Sequence, residues 1–266
     1  MCIVLSYASQ TYAAKNYPYD NYPYYSGTYA VESPQPVEAI TVVSYNIWFA
    51  ENIDQALSEI RQIESQKELD IVLLQEMDEA GTERIARELQ LNYIYFPAAI
   101  EPTYDKNFGN AVLSRWPIVD SKKLILPHRS LSNRMNRVAT RATIRIHDAE
   151  ILVYSIHTES VFTLPQFREA QYTAVLGDIP PEAKLVIIGG DFNSFTEADI
   201  ENIEGIYKQA GFTSASQGSG PTLVKYGVGV ASDHIFTKGF VMKETGTLAG
   251  ATASDHLPIW TTLLLK

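Results

Sequence analysis

The stretch Leu185-Val186-Ile187-Ile188-Gly189-Gly190-Asp191-Phe192-Asn193 decides the fold class of this chain. Four consecutive large aliphatic residues bounded by a Gly-Gly pair predict a strand that is buried on both faces. Asp191 and Asn193 are two residues apart at its end, so their side chains project to the same side of the chain. Because a buried carboxylate is costly unless a charged or hydrogen-bonding group meets it, we expect other polar groups to converge on this strand end.

Strands and helices alternate on both sides of this stretch. Apolar residues three or four positions apart predict helices over 53–63, over 82–91 and from Thr163 to about Leu176. A further helix is predicted to begin at a capping box of Ser194 and Glu197 and to end at Gly211. Apolar runs predict strands over 40–47, 70–75, 111–113, 118–126, 233–237, 241–247 and 256–265, and a hairpin of 138–146 with 151–156. This alternation predicts an α/β protein with mixed sheets.

The first part of the chain differs in composition from the rest. Eight of the sixteen tyrosines lie within the first 29 residues, mixed with Pro, Asn, Ser and Gly. We predict a flexible or loosely packed leader over 1–38 and one catalytic domain over 39–266. A spacer of this composition favours export, so we expect a secreted or periplasmic protein. The apolar start at 1–14 is either the remnant of a truncated signal peptide or a tail.

Composition and charge narrow the classes of function. The chain has 266 residues, 45% of them hydrophobic, and no apolar run approaches the length of a transmembrane span. Its formal net charge of −10 argues against tight non-specific binding of nucleic acid. Between Arg115 and Arg145, however, eight Lys or Arg stand against one acid, Asp120, which indicates either local capture of an anion or a solvated basic face. Cys2 is the only cysteine, so an intramolecular disulfide is excluded.

Polar side chains follow several of the predicted strands at the point where each strand ends. In α/β proteins ligand sites collect at strand ends, where loops converge. Any one of these residues could cap a turn, but their repetition at strand ends predicts a common site. They are Asn46, Glu76, His157, Asp191 with Asn193, and Asp255 with His256.

The residue types of this predicted site indicate which cation and which reaction it supports. The oxygen donors Asn46, Glu76 and Asp255 suit Mg²⁺ or Mn²⁺ better than Zn²⁺, which prefers His and Cys. The histidine side chain ordinarily titrates near neutral pH, so His157 and His256 are candidates for general acid and general base. The combination predicts metal-assisted hydrolysis of a phosphate ester.

Seven short stretches, in order, resemble the endonuclease/exonuclease/phosphatase superfamily. This superfamily includes pancreatic-type deoxyribonucleases, AP endonucleases, sphingomyelinases and inositol-phosphate phosphatases. The resemblance implies a four-layer α/β/β/α sandwich, in which two mixed sheets pack face to face with helices outside. The stretches are Ser44-Tyr45-Asn46-Ile47-Trp48, Leu74-Gln75-Glu76, Gly109-Asn110-Ala111-Val112-Leu113-Ser114-Arg115, Ser155-Ile156-His157-Thr158-Glu159, Gly190-Asp191-Phe192-Asn193, Ser232-Asp233-His234-Ile235-Phe236 and Ser254-Asp255-His256.

The resemblance also implies roles for single residues. The resemblance implies that His256 is a general base and that Asp233 orients its ring. It implies that His157 is a second catalytic histidine. The remaining implied roles are metal ligation by Asn46, Glu76 and Asp255, nucleophile or transition-state positioning by Asp191 and Asn193, and phosphate contacts by Asn110 and Arg141.

Two departures from the AP endonuclease pattern separate the chain from that branch. Trp48 stands where AP endonucleases have an acid, and they lack a histidine at the position of His157. The chain therefore resembles the deoxyribonuclease and sphingomyelinase branches more closely. Its substrate stays open among DNA, RNA, a phospholipid headgroup and a small phosphate ester. The alternatives are a phosphomonoesterase and a catalytically silent phosphate-binding module on the same fold.

Overall fold

The structure is a computed structural model that describes residues 14–31, 38–160, 163–225 and 228–265. Its helices are α1 (Ile53–Glu64), α2 (Glu79–Glu88), α3 (Pro165–Asp178) and α4 (Glu197–Gln209), with a short 3-10 helix over Trp48–Ala50. Its strands are β1 (Lys15–Asn16), β2 (Tyr25–Gly27), β3 (Ala39–Asn46), β4 (Ile71–Met77), β5 (Asn92–Glu101), β6 (Lys106–Ser114), β7 (Ile118–Arg129), β8 (Asn136–Ile146), β9 (Ala149–His157), β10 (Val186–Asp191), β11 (Thr213–Ser214), β12 (Leu223–Lys225), β13 (Val228–Val230), β14 (Asp233–Lys238), β15 (Phe240–Thr247) and β16 (Ile259–Leu265).

The strands form two mixed sheets. The first sheet has the order β1-β5-β6-β4-β3-β16-β15, with β2 also paired to β5. The second sheet has the order β11-β14-β10-β9-β8-β7, and β12 and β13 form a separate hairpin. Strand β3 runs parallel to β4, and β9 runs parallel to β10, whereas the other pairs are antiparallel. The carboxyl ends of β3 and β4, and those of β9 and β10, therefore lie side by side.

Alternation along the central strands builds a four-layer sandwich. In β3, Val43 and Tyr45 face α1 and α2, whereas Ile40 and Val42 face the second sheet. In β10, Ile187 faces the first sheet, whereas its two aliphatic neighbours pack with α3 and α4. The predicted α/β/β/α sandwich with two mixed sheets is confirmed.

The layer between the sheets changes from apolar to polar along each strand. In β9 the inward positions run from Ile151 and Val153 through Ser155 to His157. Gln75 on β4 donates a hydrogen bond to the Ser155 hydroxyl at 2.9 Å, which joins the two sheets just below the strand ends. The core thus ends in hydrogen-bonding groups, which lowers the cost of placing charges at the next position.

Glycines on β10 let the strand ends come together. A Cβ on Gly190 would lie 1.9 Å from the carbonyl oxygen of Ile156, and its φ of +147° favours glycine. A Cβ on Gly189 would lie 2.6 Å from a methyl carbon of Leu73 on the facing sheet. The Gly-Gly pair therefore permits both the β9–β10 geometry and the close approach of the sheets.

Three details differ from the sequence-based expectations. Helix α4 is capped by Thr196 and Asp199, which exchange reciprocal hydrogen bonds, so the predicted box of Ser194 and Glu197 is wrong. Ser194 instead donates to the carbonyl of Ala231. Strand β5 was not predicted, because its two faces are both buried and its residues show no alternation. Helix α2 begins three residues earlier than predicted, at an Asp78 cap.

Residues 14–31 belong to the predicted leader, yet they connect the margins of the two sheets. Strands β1 and β2 both pair with β5 of the first sheet. On β7 of the second sheet, the Lys123 backbone N–H donates to Asn21 Oδ1 at 2.7 Å, and Lys123 Nζ donates to the Tyr22 carbonyl at 2.5 Å. This part of the leader is packed, which differs from the expected flexible or loosely packed segment. Residues 1–13 and 32–37 lie outside the described residues, and the boundary at 38 stays a prediction.

The longest helix of the described chain, α3, has 14 residues, and no described helix is long and apolar enough to cross a membrane.

Candidate active site

The carboxyl ends of the parallel strands bring most of the predicted residues to one edge of the sandwich. Asn46 ends β3, His157 ends β9 and Asp191 ends β10. Within the second sheet, Asp191 pairs with His157 on one side and with Asp233 on the other. Sheet pairing therefore explains why residues that are far apart in sequence lie together.

Asp191 is the centre of the group. Its Oδ2 lies 3.1 Å from Asn46 Nδ2, 3.6 Å from His157 Nε2 and 3.7 Å from His256 Nε2. Its Oδ1 accepts hydrogen bonds from the Asn193 backbone N–H and from the Ser232 hydroxyl, both at 2.8 Å. Burial acts to raise the pKa of Asp191, but the two histidines and these hydrogen bonds outweigh it and lower that pKa. An ionised carboxylate thus lies between two imidazoles.

His256 is oriented by Asp233. Its Nδ1 lies 2.8 Å from Asp233 Oδ2, and both side chains are buried. Burial alone would lower the pKa of His256, but Asp233, Asp191 and Asp255 together raise it to about 10. Because Nδ1 is engaged with Asp233, Nε2 is the nitrogen that faces the site, 3.7 Å from Asp191 Oδ2 and 4.0 Å from Asp255 Oδ1.

Asn46 and Glu76 present oxygen atoms that suit a divalent cation. Asn46 Oδ1 is buried and has no hydrogen-bond partner among the described residues, while its Nδ2 lies 3.3 Å from Glu76 Oε1. Glu76 Oε2 accepts from the Phe49 backbone N–H at 3.3 Å. Burial raises the pKa of the Glu76 carboxyl, so a bound cation would favour its ionised form. An unpartnered amide oxygen beside a carboxylate fits Mg²⁺ or Mn²⁺.

The backbone at Glu76 is unusual and places the carboxylate. Its φ of 57° lies in the left-handed region, and the pairing register of β4 with β6 shifts between Leu74 and Met77. A bulge of this kind turns a side chain away from the alternation of its strand. Such strain is concentrated at functional sites.

A second group, Asp191, Asp233 and His256, has ligand atoms within 4.8 Å of one another. In this group, however, Asp233 Oδ2 is hydrogen-bonded to His256 Nδ1. Asp233 Oδ1 is buried and has no hydrogen-bond partner among the described residues, so this group and the oxygen donors of Asn46 and Glu76 are both candidates to hold a cation.

His157 lies against Arg137, a residue that the sequence did not single out as part of the site. Arg137 Nη1 is 3.3 Å from each ring nitrogen of His157, and Arg137 Nε is 3.6 Å from Glu159 Oε2. Burial and the adjacent guanidinium lower the pKa of His157 well below its ordinary value. His157 is thus a neutral imidazole beside a fixed positive charge. Arg137 lies at the start of β8, which runs antiparallel to β9, and this position was the signal that could have identified it.

Arg141 does not join this group. Its Nη2 lies 2.9 Å from Asp120 Oδ2, and its Nη1 lies 3.2 Å from Asp178 Oδ2 on α3. It faces the helix layer on the outside of the second sheet. Other members of the basic stretch are also paired outside the site, namely Arg115 with Glu68, Lys122 with Asp178 and Arg145 with Glu150.

Asn193 and Asn110 hold the surrounding backbone. Asn193 has a φ of 51°, and its Nδ2 donates to the Thr158 carbonyl at 3.0 Å. Asn110 lies between the sheets, where its Nδ2 donates to the Val138 carbonyl at 2.7 Å. Asn193 is therefore next to Asp191, whereas the amide nitrogen of Asn110 is used to join β6 to β8.

A family profile and several solved structures match this chain. The sequence profile of the Endonuclease/Exonuclease/phosphatase family matches residues 43–256. Comparison with curated protein sequences gave no match.

Several solved structures share the fold at low sequence identity. An endonuclease/exonuclease/phosphatase from Beutenbergia cavernae DSM 12333 is 19% identical, with a TM-score of 0.69 over 86% of this chain and 72% of that one. D. rerio TDP2 complexed with single strand DNA product is 18% identical, with a TM-score of 0.68 over 85% of this chain and 99% of that one. The human Nocturnin catalytic domain with bound sulfate anion is 19% identical, with a TM-score of 0.68 over 86% of this chain and 95% of that one.

Proposed function

Because the chain belongs to the endonuclease/exonuclease/phosphatase family, whose members are generally phosphoester hydrolases, we propose that it hydrolyses phosphodiester bonds with the help of Mg²⁺ or Mn²⁺. In this proposal Asn46, Glu76 and Asp255 hold the cation. The support is the unpartnered, buried Asn46 Oδ1 next to the Glu76 carboxylate. When bound, a divalent cation polarises a phosphoryl oxygen and neutralises negative charge as the ester is cleaved.

The observation that carries the proposal is the hydrogen bond of 2.8 Å between Asp233 and His256 Nδ1. It leaves Nε2 directed into the site, where we assign His256 as the general base that takes a proton from the attacking water. Asp233 holds the ring in the required tautomer and stabilises the imidazolium that forms. The three carboxylates around His256 raise its pKa to about 10, and positive charge bound among them would lower that pKa towards neutrality.

The remaining polar groups are assigned to the nucleophile and the phosphate. Asp191 orients the water, since its Oδ2 is close to both imidazoles, and Asn193 positions Asp191 through the backbone N–H that it donates to Asp191 Oδ1. His157, kept neutral by burial and by Arg137, donates a hydrogen bond to a phosphoryl oxygen. Arg137 supplies the positive charge near the phosphate, the role that the family resemblance implied for Arg141.

Hydrolysis of bis-(p-nitrophenyl) phosphate, measured with Mg²⁺ and again after addition of EDTA, tests this function. We expect turnover that requires the metal and that falls by about 10²–10⁴-fold in His256→Ala. The absence of metal-dependent turnover would reject the proposal. Parallel assays with p-nitrophenyl phosphate distinguish a phosphomonoesterase.

The alternative of a silent phosphate-binding module has no support at the site. Such a module predicts the loss of an essential group, whereas Glu76, Asp191, Asp255 and the Asp233–His256 pair are all present. The catalytic residues alone do not determine the substrate class, and the single strand DNA product held by the D. rerio TDP2 structure keeps nucleic acid among the candidates.

A further inference from the structure

Four aromatic rings form a continuous wall on the first-sheet side of the candidate active site. Phe108 lies 5.9 Å from the His157 ring, Phe49 lies 5.4 Å from Phe108, and Tyr104 lies 5.0 Å from Phe49, measured between ring centroids. Trp48 directly precedes Phe49 in the same 3-10 helix and extends the wall towards solvent. We call these four residues, Trp48, Phe49, Tyr104 and Phe108, the aromatic wall.

The aromatic wall runs from the interior of the site to solvent. Phe108 is buried and also lies 5.9 Å from the Arg137 guanidinium carbon. Tyr104 is 41% exposed and Trp48 is 38% exposed. Large aromatic side chains exposed next to a buried, charged site are surfaces available to a ligand that enters it.

The wall is fixed to the predicted metal-binding residues. Phe49 has a φ of 50°, in the left-handed region, and its backbone N–H donates to Glu76 Oε2. The same backbone conformation therefore holds the Glu76 carboxylate and sets the direction of the Phe49 ring. Met135 and Ala99 pack beneath Phe49 and Phe108 and keep the inner half in place.

The polar groups at the outer end favour a flat, polar ring over an acyl chain. Lys106 Nζ lies 5.6 Å over the Tyr104 ring, and the Tyr104 hydroxyl and the Trp48 indole N–H are further polar groups on these exposed side chains. An acyl chain gains nothing from these groups, whereas a nucleobase has both a stacking face and hydrogen-bonding edges. The net charge of −10 further favours a short substrate over a long polyanion.

We propose that the aromatic wall is a base-stacking subsite, so that the scissile phosphoester belongs to a nucleotide whose base packs on Tyr104 and Trp48. This inference rests on the proposed function for the position of the phosphate. It adds a substrate class that the catalytic residues do not determine. In this arrangement Phe108 closes the wall beside the phosphate, and the exposed rings contact the base.

Calorimetric binding of adenosine 5′-monophosphate and of ribose 5-phosphate, each in the presence of Mg²⁺, tests the subsite directly. The two ligands carry the same phosphate, so their difference measures the base. We expect the wild-type protein to prefer the nucleotide, and Tyr104→Ala to weaken its binding by about 5- to 100-fold while ribose 5-phosphate is unaffected. Tyr104→Phe keeps the ring and should retain the preference. Tyr19→Ala, which removes a tyrosine that is 69% exposed and not part of the wall, is the matched control.

Fluorescence gives a second readout, because Trp48 is the most exposed of the three tryptophans. Nucleotide binding should change the emission of the wild type, and Trp48→Phe should abolish that change. Equal affinity for both ligands, no nucleotide binding, or equal weakening of both ligands by Tyr104→Ala would overturn the subsite. Hydrolysis of bis-(p-nitrophenyl) phosphate would continue in that case, whereas loss of metal-dependent hydrolysis counts against the proposed function itself.

Discussion

The substitution Asp233→Asn tests whether the carboxylate next to His256 contributes to catalysis by acting on that histidine. It keeps the shape of the side chain and removes one negative charge. Asp233 Oδ2 is 2.8 Å from His256 Nδ1 and is the largest of the influences that raise the pKa of this histidine. We therefore expect two linked changes, a lower pKa of His256 and a lower turnover number.

The size of the first change follows from the charges at the site. Burial alone would lower the pKa of His256, yet the neighbouring carboxylates raise it from 6.5 to about 10. Because each tenfold change in proton affinity is worth about 1.4 kcal/mol, these groups favour the imidazolium by about 5 kcal/mol net. Removal of the nearest carboxylate should lower the pKa by about 1–3 pH units. Loss of the correct tautomer and orientation should lower kcat by about 10²–10⁴-fold.

The pKa is measured by NMR titration of the histidine ring, assigned by its absence from the spectrum of His256→Ala. Turnover is measured on the phosphodiester at saturating Mg²⁺. Asp178→Asn is the control, since Asp178 is a carboxylate of low exposure whose salt bridges are with Lys122 and Arg141 outside the site.

A double mutant decides whether Asp233 acts through His256. If it does, Asp233→Asn combined with His256→Ala should be no slower than His256→Ala alone. An unchanged His256 pKa in Asp233→Asn, or a double mutant slowed by the product of the two single effects, would refute the reasoning.

Three further predictions follow from other groups. Glu76→Gln should raise the Mg²⁺ concentration needed for half-maximal activity, since it removes a charged oxygen ligand; an unchanged metal titration would exclude Glu76 as a ligand. Arg137→Lys should raise KM by about 10- to 100-fold through the loss of charge-assisted hydrogen bonds. Arg141→Lys should leave KM unchanged. A raised KM in Arg141→Lys with an unchanged KM in Arg137→Lys would return Arg141 to the site. Burial lowers the pKa of Lys123 from 10.5 to about 8, so the native state binds fewer protons than the unfolded state between these values. The free energy of unfolding of the wild type relative to Lys123→Met should therefore rise with pH across that window in urea denaturation, and a constant difference would contradict it.

The strand ends were predictable because their signals are local. A run of aliphatic residues that stops at a polar side chain marks a buried strand and a candidate site, and Asn46, His157 and Asp191 do lie close together at strand ends. The family and the four-layer sandwich followed from the same motifs and are confirmed. The catalytic roles of these residues stay proposals until the substitutions are measured.

The sequence is least informative where pairing between distant segments decides the outcome. Arg137 and Arg141 are four positions apart on one strand and look alike in sequence, yet one lies against His157 and the other against Asp178. Strand β5 and residues 14–31 were missed for a related reason, since each is held by partners elsewhere in the chain and carries little periodicity of its own.

By itself, the sequence determined the fold class, the strand ends and the chemical types of the candidate site, because all three depend on residue patterns within a few positions. Only the tertiary structure decided which arginine accompanies the site, and that the rings of Phe49, Tyr104 and Phe108 share one surface. Those relations depend on strand register and on the packing of two sheets. Both are collective properties of the folded chain, which no short stretch of sequence specifies.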